Sequence, residues 1–278
     1  MTGVFVVSDS SESSTTCRTI LGFRNALSGA PYSGAEQDSD YPIINAFDHL
    51  YNSEYSISEI DDIDSQVEII FSFTGAEKLS YFGINSKNAS DCGLSVVVEV
   101  LPVETGVYEE VAGFGSMTNG KPVMAYFGDL FDAGYANALN VRITLTYSSK
   151  PYIMTMMCGE AVVFPRSFSL GFQPAHMAYL DEVEQFYTDE GLNLLPSRRL
   201  ARGKQLKGSI NYVKISTIET FWDEYANHVL DSKSIFLMWN DKKPDQVIYG
   251  AQVPDRLTKP SYKTNLFSQI EFEVIGFA

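Results

Sequence analysis

Cys158-Gly-Glu-Ala-Val-Val-Phe-Pro-Arg-Ser-Phe-Ser-Leu-Gly-Phe-Gln-Pro174 is the stretch on which the fold turns. Pro165 lacks an amide hydrogen and fixes φ, so neither strand nor helix runs straight through it. Gly171 and Pro174 add further breaks. The segment is nonetheless apolar, through Val162, Val163, Phe164, Phe168, Leu170 and Phe172, which is wrong for a flexible linker. It reads as a packed junction, and it predicts a division into residues 1–164 and 165–278.

Upstream of the seam, short apolar runs recur with turn chemistry between them. Gln66–Phe73 is rich in β-branched and aromatic residues, as a strand requires. Tyr81–Asn85, Leu94–Leu101, Tyr108–Val111 and Val123–Phe127 follow, then Asn140–Tyr147, Tyr152–Met157 and Ala161–Phe164. In Asn140–Tyr147, Val141, Ile143 and Leu145 alternate with Arg142, Thr144 and Thr146, the period of a half-buried strand. With no helical periodicity, this half is predicted to be a β-sandwich. Near the N-terminus, Val4-Phe5-Val6-Val7 suits a strand or an arm that pairs with a neighbour, and Ser8–Thr16 is loop-like.

Downstream the pattern changes. Met177, Leu180, Val183 and Phe186 are spaced for a short helix, and the neighbouring acids fit a solvated loop equally well. Arg198–Gly208 reads as a basic, turn-capable loop, and Ile210–Ile215 as a strand. Ser216 with Glu219 forms a capping box. Ile218, Phe221, Trp222, Tyr225 and Val229 then make one apolar stripe, predicting a main amphipathic helix near 217–230. Ile235–Trp239, Gln246–Val253 and Asn265–Phe277 complete the chain as strands. The expectation is mostly β: a sandwich, then a β-rich α+β module.

At 278 residues with 45% hydrophobic and 13% aromatic content, the chain has ample material for more than one core. Its charge is uneven. Residues 1–164 hold 7 Lys+Arg against 21 Asp+Glu, a net of −14, and residues 165–278 hold 13 against 14, a net of −1. The first half therefore repels nucleic acid and anionic membranes. Cys17, Cys92 and Cys158 lack the spacing of a disulfide framework or zinc site and read as buried free thiols. No apolar run is long enough for a membrane span. The N-terminus lacks the pattern of a signal peptide, which predicts synthesis in the cytoplasm.

Asn45-Ala-Phe-Asp48, an aromatic at Tyr51 or Tyr55, and then the strands Val67–Phe73, Tyr81–Ile84 and Val96–Leu101 together resemble the galactose-binding-like, discoidin-type jelly roll. His49 stands where such domains carry Gly, and no Trp occurs before Trp222. From the seam onward, the order of features resembles minor tail and baseplate proteins of tailed bacteriophages. These features are Gly159-Glu160, Phe164-Pro-Arg166, Gly171-Phe-Gln-Pro174, the basic stretch 198–208, Phe221-Trp222, Trp239 and Tyr249-Gly250. The resemblance implies a virion component of the tail, made in the host cytoplasm. Its partners would be other tail or baseplate subunits and further copies of itself.

No catalytic constellation emerges. His49, His176 and His228 are isolated, and no Gly-x-Ser-x-Gly surrounds a serine, so no catalytic residue and no cofactor is expected. The acids Asp38, Asp40, Asp48, Glu54, Glu59, Asp61, Asp62, Asp64 and Glu68 fit a solvated face, with structural calcium the alternative. Asp48, Tyr51 and Tyr55, together with Tyr32 and Tyr41, are candidate contacts to a host-surface carbohydrate. Arg198, Arg199, Arg202, Lys204 and Lys207 are a candidate subunit interface, because the acidic half of a neighbour offers the complementary charge.

Overall fold

The computed structural model of the chain describes residues 17–34, 37–47, 54–56, 65–169, 171–175, 177, 179–184, 198–254, 257, 260–262 and 266–277. It is mostly β, in three antiparallel sheets. A five-stranded sheet runs in the order β2 (Tyr32–Ser33), β4 (Ser65–Leu79), β9 (Ala136–Tyr147), β6 (Ser95–Pro102), β7 (Glu109–Phe114). Alternation sets its inner face: Val96, Val98 and Val100 of β6 and Val141, Ile143 and Leu145 of β9 are buried. Against it lies a four-stranded sheet of β3 (Tyr55–Ser56), β10 (Tyr152–Gly159), β5 (Tyr81–Ser86) and β8 (Val123–Tyr126). Phe82, Ile84, Met156 and Cys158 from this sheet close the first core.

The third sheet runs β11 (Val162–Phe164), β1 (Thr19–Gly22), β14 (Ile235–Met238), β15 (Val247–Gln252), β17 (Phe267–Phe277), β13 (Arg198–Lys214), β12 (Tyr179–Glu184). A short β16 (Ser261–Tyr262) also pairs with β17. Ile235-Phe-Leu-Met238 does not alternate because both faces of β14 are covered. Ile235 and Leu237 enter a second core with Tyr225 and Val229, while Phe236 and Met238 enter a third cluster. That third cluster joins Ile20, Phe236, Met238, Val247 and Tyr249 to Tyr81, Met124 and Met157 of the four-stranded sheet. The four-stranded sheet is thus a middle layer with no solvent face.

The sheets do not divide at Pro165. β1 and β11 both precede that residue, and both are strands of the third sheet, with β1 hydrogen-bonded to β11 and to β14. The seam crosses from the middle layer to the third sheet within Glu160-Ala161. Gly159 permits this, since a Cβ there would collide with the Arg24 carbonyl. Phe168 and Phe172 stack with centroids 4.5 Å apart over Gly208 of β13, where a Cβ would come within 2.7 Å of the Phe168 ring.

Three local expectations are corrected. The helix is two pieces, α1 (Ile215–Glu219) and α2 (Trp222–Leu230). Its N-cap is Lys214 and no side chain caps it, so the Ser216–Glu219 box does not form. The Thr220 hydroxyl donates to the Thr217 carbonyl at 2.6 Å and the Phe221 amide to Ile218. This tightens and ends the first piece. The apolar stripe survives the break: Ile218, Phe221, Tyr225 and Val229 are buried. Residues 179–184, expected as helix or loop, are a strand. The basic stretch 198–208 is likewise strand, because antiparallel neighbours on β12 and β17 supply its backbone partners. No described helix is long and apolar enough to cross a membrane.

Because the third sheet needs β1, a chain beginning at residue 165 leaves β14 without its neighbour and the second core without Leu21 and Phe23. That fragment is expected to be unfolded by near-ultraviolet circular dichroism and by fluorescence of its Trp222 and Trp239.

Candidate functional site

The loop end of the sandwich gathers an aromatic and ionic cluster from four separate segments. The Asp38–Tyr41 turn is strapped to β3, with the Asp38 amide donating to Ser56 and the Ser56 amide to Tyr41. The Asp38 carboxylate accepts from the Asp40 amide at 2.9 Å and from Lys150 Nζ at 2.5 Å. Lys150 holds that carboxyl below the ordinary carboxylate range, with the Asp40 amide adding to the effect. The Tyr41 and Tyr152 rings meet edge to face with centroids 5.4 Å apart, and the Lys150 ammonium lies 5.8 Å from the Tyr41 centroid. Asn88 donates to the Lys150 carbonyl and accepts from the Tyr152 amide, both at 2.8 Å. Lys87 pairs with Glu54 at 2.8 Å.

This arrangement offers ring edges and faces, an ammonium and a carboxylate within one patch, all only partly covered. Such groups can take a ligand rich in hydroxyls. Of the residues named from sequence, Tyr41 is in the cluster. Tyr55 is not: it is fully buried in the first core, so it presents no face to a ligand. Its hydroxyl is buried without a hydrogen-bond partner. Asp48 and Tyr51 lie outside the described residues, as do residues 57–64 of the acidic segment. Tyr32 is exposed at the sheet edge, where its hydroxyl accepts from Gln37. The Asn45-Ala-Phe motif is architectural. Asn45 donates to the Glu54 carbonyl, and Phe47 packs edge to face on Phe71 at 5.6 Å. Among the described residues no three His, Cys, Asp or Glu side chains gather as a metal site. Cys92 and Cys158 are buried free thiols, and Cys17 is partly exposed.

A concavity of 730 Å³ opens where β1 leaves the third sheet, between Arg24, Asn25, Glu160, Glu224 and His228. Arg24 donates to Glu224 at 2.8 Å and 3.0 Å and to Glu160 at 2.7 Å, tying β1's exit to α2 and to the seam. At the opposite flank Arg18 bonds Asp241 at 2.6 Å and also Asp129, with Tyr126 beneath its guanidinium at 5.3 Å. The two arginines bracket the third cluster. His228 Nε2 lies 2.9 Å from the Ser234 carbonyl, and its ring packs on Phe23 at 5.5 Å.

The five basic residues are all in β13. Among the described residues, 198–203 pair with β12 alone, the β17 register ending at Lys204 opposite Gly276. That part of the sheet is a two-stranded ribbon. Asp181 is opposite Arg202 and Glu184 opposite Arg198. Lys207 reaches Glu273 at 3.7 Å.

No protein-family model matches the chain, and no curated protein matches it. Solved structures resemble part of it. SpGH29 is 13% identical over 49% of this chain, with a TM-score of 0.38. The chitosan-binding module 1 of a chitosanase/glucanase from Paenibacillus sp. IK-5 is 12% identical over 49% of this chain and 99% of its own, with a TM-score of 0.39. The family 32 carbohydrate-binding module of C. perfringens NanJ, solved with galactose, is 15% identical over 51% of this chain and 98% of its own, with a TM-score of 0.37. The matched region spans 28% of the SpGH29 chain.

Burial holds the His228 imidazole below its ordinary value, outweighing the Ser234 bond. The folded chain therefore binds fewer protons there than the unfolded chain, and stability is lost as pH falls through about 6.5. The melting temperature of the wild type is expected to drop more steeply than that of His228→Gln between about pH 7.5 and pH 5.5. Equal slopes would remove His228 as a contributor.

Proposed function

We propose that this chain is a structural subunit of a phage tail tip or baseplate, assembling with other tail subunits and with copies of itself. The observation that supports the reading best is the joint. A strand from the N-terminal region completes the third sheet, an apolar cluster fills the space between the layers, and an arginine pins each flank. A subunit that must hold register inside an assembly needs its parts fixed in this way. The ribbon of β12 and residues 198–203 adds support. A two-stranded ribbon is marginal by itself and gains stability when a neighbouring subunit covers it. Arg198, Arg199 and Arg202 on it, with Lys204 and Lys207 beyond, form the proposed subunit interface.

A second reading, contact with host-surface carbohydrate, is favoured by the Tyr41–Tyr152–Lys150–Asp38 cluster. The two readings are compatible, with the ribbon engaging the particle and the loop end of the sandwich facing outward. The −14 balance of residues 1–164 selects neutral or amino sugars over sialylated ones.

Arg198→Glu with Arg199→Glu is expected to weaken co-elution with purified tail components in size-exclusion chromatography with light scattering, while the chain stays folded by circular dichroism. A wild type that stays monomeric and joins no tail component overturns the structural reading. For the carbohydrate reading, Tyr152→Ala is expected to lose about 1–2 kcal/mol of glycan affinity, the scale of an aromatic contact. Silence of the wild type on a glycan array removes that reading.

A further inference from the structure

Two exposed apolar corners, rimmed by opposite charges, sit on different sheets. On the five-stranded sheet, Val103, Val107 and Leu139 are 49%, 65% and 39% exposed. The corner is held in shape by the Val103 amide donating to Asn137 at 2.8 Å and by Asn140 donating to the Tyr108 hydroxyl at 3.3 Å. Its rim is acidic on balance, with Lys78 exposed opposite Asn137 and the Arg142 guanidinium over the Tyr108 ring. Glu104 accepts from Asn137 Nδ2 at 3.1 Å, and Glu110 is exposed on β7.

The other corner is built by a bulge. Between Ile210 and Val213, two residues of β13 stand against one of β17. Tyr212 takes φ +59, a left-handed conformation in which a bulky residue is strained. Its ring is 54% exposed, with the Arg166 guanidinium 5.4 Å from its centroid and Phe267 at 6.4 Å. Leu266, 71% exposed, is adjacent through its carbonyl, which accepts from the Ile215 amide at 3.1 Å. Lys214 is exposed beside it. Bulges re-aim side chains, and retained backbone strain gathers where a side chain must be presented. Exposed Tyr and Arg are the residue types that anchor protein interfaces.

We infer that copies of this chain join head to tail, the Val103–Val107–Leu139 corner of one copy seating on the Tyr212–Leu266 corner of the next. The inference rests on the assembly reading above and names the surfaces of the contact between copies, leaving the 198–207 interface to the other tail subunits. Like corners do not pair, since acid would face acid and base would face base. Unlike corners bring Glu104 and Glu110 to Arg166 and Lys214, and the apolar residues cover one another. The contact is heterologous, so it closes into a ring or runs on as a filament.

Sedimentation velocity on four proteins tests this. The wild type is expected to associate with rising concentration and to dissociate with added salt. Glu104→Lys with Glu110→Lys, and separately Arg166→Glu with Lys214→Glu, should each remain monomeric where the wild type associates. Mixed in equal amounts, the two variants should associate again, because the intact corner of each finds its partner on the other and the two reversed corners are of opposite charge. Tyr212→Gly supplies a readout that a purely structural role would not move. It relieves the left-handed strain and should melt higher, while associating about tenfold more weakly. Charge variants that associate like the wild type, or a mixture that stays monomeric, overturn the inference. A wild type that is monomeric throughout yet joins purified tail components also overturns it, and leaves the assembly reading standing. A wild type that does neither sinks both.

Discussion

The structure depends on one constraint: the four-stranded sheet is covered on both faces. A sheet with one wet face can be read as the wall of an ordinary sandwich. Here Tyr81 and Met157 leave the first core and enter the cluster beneath β14. The approach is close enough to dictate residue type. A Cβ at Gly83 would come within 2.9 Å of the Phe236 ring, and one at Gly22 would collide with the Tyr81 ring. The Tyr81 hydroxyl, fully enclosed, donates to the Arg24 carbonyl at 2.7 Å, whereas the Thr19 hydroxyl of β1 is buried without a hydrogen-bond partner. Losing the Phe236 ring would empty the centre of this layer, at about 3–5 kcal/mol for a substitution of that kind.

That constraint explains which parts of the fold were legible in the sequence. The strands of the five-stranded sheet have one buried and one wetter face, so their alternation is visible at Val96–Leu101 and Val141–Leu145. The runs Ile235–Met238 and Tyr152–Cys158 do not alternate, and length with composition is what marks them as strands. Thr19-Ile-Leu-Gly22 carries no such mark. It is short, follows a Ser/Thr-rich stretch, and its partners are 141–145 and 214–218 residues away in the pairs with β11 and β14. Only the folded chain shows that it is the strand between β11 and β14. The same limit hid the loop-end cluster, whose central ion pair joins residues 112 apart. Tyr41 was visible as an aromatic in a turn, but nothing local connected it to Lys150 and Tyr152. Tyr55 misled for the converse reason. Its neighbours in sequence are polar, while the register Tyr55 opposite Ile153 turns it inward.

The basic stretch shows how composition can mislead about conformation and still inform about chemistry. Five cations within ten residues look like a solvated loop. Yet Leu206 and Ile210 are buried at a spacing of four, with the small Gly208 between them beneath the Phe168–Phe172 stack. That is a strand with one inward face. In the backbone register Asp181 stands opposite Arg202 and Glu184 opposite Arg198, the opposite-charge placement that an antiparallel pair favours.

Fixing the joint has a consequence for assembly. The excess of negative charge belongs to residues 1–164, and the strained Tyr212 bulge belongs to the third sheet. If a hinge separated them, the acidic and basic corners could meet within one chain, and association would be lost to self-closure. The shared strand β1, the apolar layer and the Arg18 and Arg24 pairs remove that freedom. The corners are then held at a set separation and angle, so each copy can satisfy its neighbour but not itself. Under the proposed head-to-tail contact, that angle decides between ring and filament. Under that proposal, Gly22, Gly83, Gly159 and the two arginines would set quaternary geometry although none lies at either corner.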